Sequence, residues 1–270
     1  MAASTRSCCN TSFRLAVLVS LVLVGAIVVL DWPAQNALFV YWVEIGLSIP
    51  LYSVLVLFAK RKPQPNERTI DPLTIPVPFV SRRSGSTRLA RWLPPLHWRN
   101  GRYAVGLLLG GLVVWSCLAT LFVYLPAPDP IRLRPDRSGI PLAQALSLVS
   151  DAYSHWAVGG GIVLFCGHFW AIHQWFFARR QYTSLSAPMI SEMLFRQLAF
   201  WFAVTAFAGL VFPIVSLPLV AVVDTRAITE FGLTALAVGG KLTVEWGTLQ
   251  VRRDETGTKL ARWFAPEEIT

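Results

Sequence analysis

The chain predicts an all-α, polytopic transmembrane helix bundle of about six spans, and three observations carry that prediction. First, 54% of its 270 residues are hydrophobic and 14% charged, with a mean hydropathy of +0.51, which is too apolar for an ordinary water-soluble domain. Second, the apolar residues gather in continuous runs of roughly twenty, the length a helix needs to cross a bilayer, whereas barrel strands alternate over about ten. Third, the 24 Lys and Arg are unevenly placed: nineteen fall in segments that one topology assigns to the same side. That topology puts both termini in the cytoplasm and makes the chain a multi-pass protein of the cell membrane. It also accounts for the net charge of +9, so nucleic acid is not an expected partner.

Residues 1–270 read as a single integral membrane domain. The first span, 13–30, follows Arg6 and Arg14 and stops at Asp31-Trp32-Pro33. No small-x-small cleavage site follows, and the next apolar run begins at once. The segment is therefore expected to be a retained helix joined to the second by a tight outer hairpin, with Pro33 and Asn36 as stop and restart. The second span, 36–59, reads NALFVYWVEIGLSIPLYSVLVLFA and places Glu44 about a third of the way in. A carboxylate in a span costs at least about 2.5–3.5 kcal/mol on insertion scales, so Glu44 is expected to face the bundle interior and to have a partner. Tyr41 and Trp42 suit the depth where hydrocarbon meets headgroups. Pro50 removes one backbone hydrogen bond and is expected to bend the helix.

Segment 60–102 carries ten basic residues against Glu67 and Asp71, which marks it as a cytoplasmic loop. A short interfacial helix is expected over 87–98, broken by Pro94-Pro95, and the positive charge also suits contact with anionic lipid. The third span, 103–124, has Gly106, Gly110 and Gly111 as a small-residue face for a neighbouring helix. An outer loop over 126–139 balances Arg132, Arg134 and Arg137 partly with Asp129 and Asp136.

The fourth span, 151–177, contains His155, His168 and His173. At about 100° per residue, Asp151 and His155 share a face while His168 and His173 do not. With no HxxxH or HxxE pair, no metal site is expected, and neutral histidines bonded between helices are preferred to a proton relay. The fifth segment begins near Pro188 as an amphipathic turn in which Glu192 and Arg196, four apart, form an in-helix ion pair. Its membrane part, 198–223, is interrupted at Pro213 and Pro218. In the sixth span, 231–249, Lys241 and Glu245 are also four apart, and Gly239-Gly240 leave room for another helix. Lys241 is expected to reach along its helix toward Glu44, with Arg196 at the inner interface, snorkelling or meeting Glu245. Cys8, Cys9, Cys117 and Cys166 make no disulfide framework or metal spacing.

The DW hairpin, the Tyr41-Trp42-x-Glu44 stretch, His168, Arg196 and the final Lys241-x-x-x-Glu245 together resemble a family of uncharacterised multispanning membrane proteins found largely in haloarchaea. The resemblance covers most of the chain. It departs where the family places a His shortly after the fifth-span Arg, since this chain has Phe200-Trp201 there, and where the family has further His after the last acid. It implies a six-helix architecture and no mechanism.

Glu44, Lys241, Glu245, His168 and Arg196 are therefore the candidate residues of an intramembrane ion or proton site in a small transporter or channel-like module. The alternative is a non-catalytic membrane scaffold or assembly partner whose buried charges set helix register. No GxSxG, HExxH, paired-Asp, GxGxxG or P-loop motif is present, so neither catalysis nor a cofactor is expected. Expected partners are the lipid bilayer, anionic lipid at the 60–102 loop, and a second copy or another membrane protein.

Overall fold

The computed structural model describes residues 2–63, 73–75, 85–91, 93–119, 122, 154–211, 214, 225–253 and 258–266, with side chains from residue 13 onward and, in the last long helix, from 231. The outer loop at 126–139, Asp151, the stretch around Pro213 and Pro218, and Glu67 and Asp71 lie outside the described residues.

Among the described residues seven helices form, the longest of them on the apolar runs. They are α1 (Ala2–Leu30), α2 (Ala34–Phe58), α3 (Gly101–Ala119), α4 (His155–Ile172), α5 (Ala187–Ala206), α6 (Thr225–Arg252) and α7 (Lys259–Phe264). Wider π-type turns extend α4 over His173–Ala178 and α5 over Phe207–Val211. Among the described residues five stretches are long and apolar enough to cross a membrane: Phe13–Leu30, Gln35–Phe58, Trp98–Ala119, His155–Ala178 and Ala187–Leu210. The protein is thus an all-α bundle of membrane-span-like helices. The fifth of these stretches starts at Ala187, earlier than the expected 198, because Glu192 and Arg196 pair with each other and leave the rest of the turn apolar. Ser186 precedes this helix and Pro188 fits its first turn, where the missing N–H is no loss. Helix α6 is not among the five, although its 28 residues span about 42 Å. Its polar residues Thr234, Lys241, Glu245, Thr248 and Arg252 are buried, so its low hydropathy belongs to an inward face.

Helix α2 is the hub, packing against α3, α4, α5 and α6, while α1 leans on α4 and α6 from outside. Over half of the α2 span is buried in the protein against 17% of the α1 span. Helix α2 continues through Pro50. Close approach to α4 depends on Gly161, where a Cβ would stand 2.8 Å from the Val40 carbonyl oxygen and 2.7 Å from Val43 Cβ. On the α3 side Trp42 and Trp115 stack with centroids 4.0 Å apart, and each indole N–H donates to the other's carbonyl, at 3.2 and 2.9 Å. At the end of α2 the buried Asn100 donates to the carbonyls of Val56 and Ala59 at 3.1 and 2.8 Å, satisfying acceptors that the last helical turn leaves open.

Tyr41 is fully buried and hydrogen-bonded to Ser20 at 3.0 Å, on the same inward face as Glu44 three residues on. Two expectations are corrected. Residues 87–98 do not form an interfacial helix: Ser86–Thr87 pairs antiparallel with Leu96–His97, and a 3-10 turn follows at Trp98–Asn100. Pro94 and Pro95 lack the N–H groups a helix would use there and hold an extended return strand instead. The small-residue face of α3 is shared between partners, since Gly111 admits Ile49 of α2 whereas Gly106 lies under the carbonyl of Leu73.

Gly161→Ala is expected to lower the thermal stability of the detergent-solubilised protein by about 1–3 kcal/mol. Gly159→Ala, where a Cβ meets nothing within 4 Å, is expected to leave stability unchanged or raise it by up to about 1 kcal/mol. Burial, and then the charges of Arg99 and Lys60, hold the His97 imidazole below its ordinary value of 6.5. A depressed histidine binds fewer protons folded than unfolded, so the strand pair keeps its stability above 6.5 and loses it as pH falls below. The protection of the Leu96 and His97 amides, measured relative to their intrinsic exchange rates at each pH, should fall on acidification through that value, and His97→Gln should remove the dependence.

Candidate functional site

Four of the five sequence-nominated residues meet at one point. Glu44 comes from α2, Lys241 and Glu245 from α6, and His168 from α4, each less than 5% exposed. Their convergence follows from helical spacing. On α2, Tyr41, Glu44, Ser48 and Tyr52 recur at three- and four-residue steps and form one inward stripe; on α6, Lys241, Glu245, Thr248 and Arg252 do the same. Lys241 sits eleven residues from Arg252, about 17 Å along the axis, so the cluster lies deep in the helix.

The Lys241 ammonium donates to Glu44 Oε1 and, at 2.6 Å, to Glu245 Oε1. It therefore bridges two carboxylates on different helices. His168 Nδ1 stands 3.5 Å from Glu245 Oε1, longer than a normal N–H···O bond, and its Nε2 has no hydrogen-bond partner among the described residues. Counting only Glu44, Glu245 and Lys241, the cluster carries two negative charges and one positive. Beside it is a cavity of about 20 Å³ lined by Glu44, Ser48, His168, Gln197, Lys241 and Glu245 among others, enough for about one water molecule.

Polar groups extend from the cluster along the bundle axis. Toward the start of α2 lies the Tyr41–Ser20 pair; toward the other end, Gln197 of α5 reaches the Tyr52 hydroxyl at 3.3 Å, with the Tyr52 ring 6.0 Å from that of His168. Arg252 is buried beyond, its backbone carbonyl accepting from Arg179 at 2.9 Å. The hydroxyls of Ser48 and Thr248 donate to carbonyls four residues back in their own helices, Glu44 and Val244. They are committed to local bonds, so the connecting polar groups are the phenols and the Gln197 amide.

The expected reach of Lys241 to Glu44 is what the structure contains. Arg196 lies elsewhere: it pairs with Glu192, donates to the Trp263 carbonyl at 2.7 Å and covers the Trp263 ring at 5.7 Å. Its role is to fasten α7 beneath the bundle, where Phe264 fills the space that Gly247 leaves open. His155 is exposed, and His173 packs on Trp170 with ring centroids 6.1 Å apart. One combination escaped the spacing argument. Glu44, His168 and Glu245 each offer a ligand atom within 4.8 Å of the others, a metal-ligand set. It draws on three helices, and spacing within one helix carries no trace of it. Asn100, Gln197 and Arg252 were also missed, although a polar residue at an α2-like or α6-like register was a usable signal for Arg252.

Residues 2–92, which hold α1, α2 and the first part of the basic loop, match the model of a family of unknown function (DUF6498). No curated protein and no solved structure matches the chain. Over that first third, with Glu44 inside it, the chain is similar to an uncharacterised family and contains two of the membrane-span-like helices.

Proposed function

We propose that the chain is a small cation-handling membrane module in which Glu44 and Glu245 form the cation site and Lys241 is its resident counter-ion. The observation that carries the reading is one ammonium shared by two buried carboxylates at the centre of a polar file, inside an otherwise apolar bundle. Ionisable groups at such depth mark ion or proton pathways more often than they mark packing, because burial there is costly without a use. In this reading α6 is a sixth span, both termini are cytoplasmic as the uneven Lys and Arg placement requires, and the 60–102 loop faces anionic lipid.

A second reading, a membrane scaffold, is favoured by one observation: Lys241 pairs with both carboxylates, which pins α2 to α6 as a structural tie does.

Flux separates the two. Protein in liposomes is expected to pass protons or small cations under a gradient, and both Glu44→Gln and Lys241→Met should reduce that flux at least tenfold while remaining monodisperse. Absence of flux in every variant would reject the transport reading. On stability, Lys241→Met leaves two carboxylates facing each other and should cost about 3–5 kcal/mol. Adding Glu44→Gln should recover part of that loss, because it removes one unpaired charge; a double variant as unstable as the sum of the singles would mean that the two side chains do not interact.

A further inference from the structure

We propose that Glu44, His168 and Glu245 bind a divalent transition-metal cation of the Zn²⁺ type, and that the Lys241 ammonium is the tethered cation such an ion displaces. Two independent observations converge on this. The three side chains come from three helices, are all buried, and hold ligand atoms within 4.8 Å of one another. His168, 3% exposed, lines the adjoining cavity, and neither of its ring nitrogens makes a hydrogen bond among the described residues, although Nδ1 stands 3.5 Å from Glu245 Oε1. Buried imidazole nitrogens normally have a partner, so this ring has coordinating capacity that the surrounding side chains do not use.

Charge matching supports a divalent occupant. One ammonium balances one of the two carboxylates, whereas a 2+ ion balances both, with His168 as a neutral ligand. An ion at that point repels Lys241 from it, and the flexible four-carbon stem lets the ammonium withdraw. Occupancy by metal and by Lys241 are therefore mutually exclusive, which is the property an exchanger needs.

Ligand chemistry and space narrow the class. Two oxygens and one imidazole nitrogen suit Zn²⁺ and its neighbours better than the all-oxygen shells of Mg²⁺ and Ca²⁺. Those two ions also keep six or more ligands, including waters, while the cavity of about 20 Å³ admits about one water. Three protein ligands plus one water is a tetrahedral set. Ligand atoms around such an ion lie roughly 3.4 Å apart, so the trio contracts somewhat on binding, as side-chain rotation allows.

This inference names the cation for the reading above and rests on it only for transport; binding is measured separately. The full chain in detergent is titrated with Co²⁺, whose four-coordinate form has strong visible bands, and its Zn²⁺ content is measured after gel filtration. Lys241→Gln should bind one ion per chain at least about tenfold more tightly than wild type, since a competing like charge is gone. Adding His168→Ala or Glu44→Gln to that variant should weaken binding by about 10–100-fold or more. A folded Lys241→Gln with no four-coordinate bands, or bands indifferent to His168→Ala, would overturn the proposal. Should Lys241→Gln not fold, Zn²⁺ should still raise the thermal stability of wild type and not of His168→Ala; equal responses would overturn it too. Metal binding without any flux would leave this site standing and reject the transport reading, and proton flux without metal binding would do the reverse.

Discussion

The bond of one lysine to two carboxylates is the constraint around which the bundle is arranged. A helix with Lys241, Glu245, Thr248 and Arg252 on one face is too polar to face lipid on that side, so α6 is admitted to the bundle only with that face turned inward. Once inward, its ammonium needs anions. Glu245 lies one turn away on the same helix, and Glu44 is presented by the most enclosed helix of the protein. Glu44 in particular depends on α6: its carboxylate left unpaired at that burial costs several kcal/mol, a large fraction of any domain's net stability.

The remaining contacts explain how α2 comes to occupy the centre. Its apolar residues surround it almost evenly, leaving only a narrow outward stripe at Pro50 and Val54, and the neighbours carry small or shape-matched residues where they approach. Gly161 lets α4 close on Val40 and Val43. The reciprocal Trp42–Trp115 bonds lock α3 in register, satisfying two indole donors that burial would otherwise leave without acceptors. Asn100 closes the carboxyl end of α2, and Tyr41 ties α1 to it through Ser20. Each is a polar group finding its partner on another helix, which is how specificity arises when hydrophobicity alone does not distinguish one apolar helix face from another.

Parts of the site were legible before the fold was known. Glu44 and Lys241 were conspicuous because charge in an apolar run demands a partner, and Lys241–Glu245 and Glu192–Arg196 were readable from a four-residue step alone. His168 was nominated but could not be separated from His155 and His173 by spacing, and only packing shows that it is the one beside Glu245. For Arg196 the sequence leaves open snorkelling at the inner interface or a meeting with Glu245, because it gives the height along α5 without the direction of the side chain; the structure turns it to Trp263. The strand pair at Ser86–Thr87 and Leu96–His97 was read as helix because alternating Arg and apolar residues mimic an amphipathic helix over so short a run, and the two prolines decided otherwise.

The sequence by itself determined that this protein is helical, with several runs apolar enough to cross a membrane, and that a carboxylate and an ammonium in apolar surroundings must be reconciled. Those properties are local: run length, charge density and the 3.6-residue period are written along the chain. The tertiary structure alone decided that α2 is the hub, that Tyr41 is interior, and that Glu44, His168, Lys241 and Glu245 share one site. Positions 44, 168 and 241 are separated by more than seventy residues at each step, and the distance between their side chains depends on which helix faces which. That choice is made by the joint packing of all the helices, a quantity no single stretch of the chain contains.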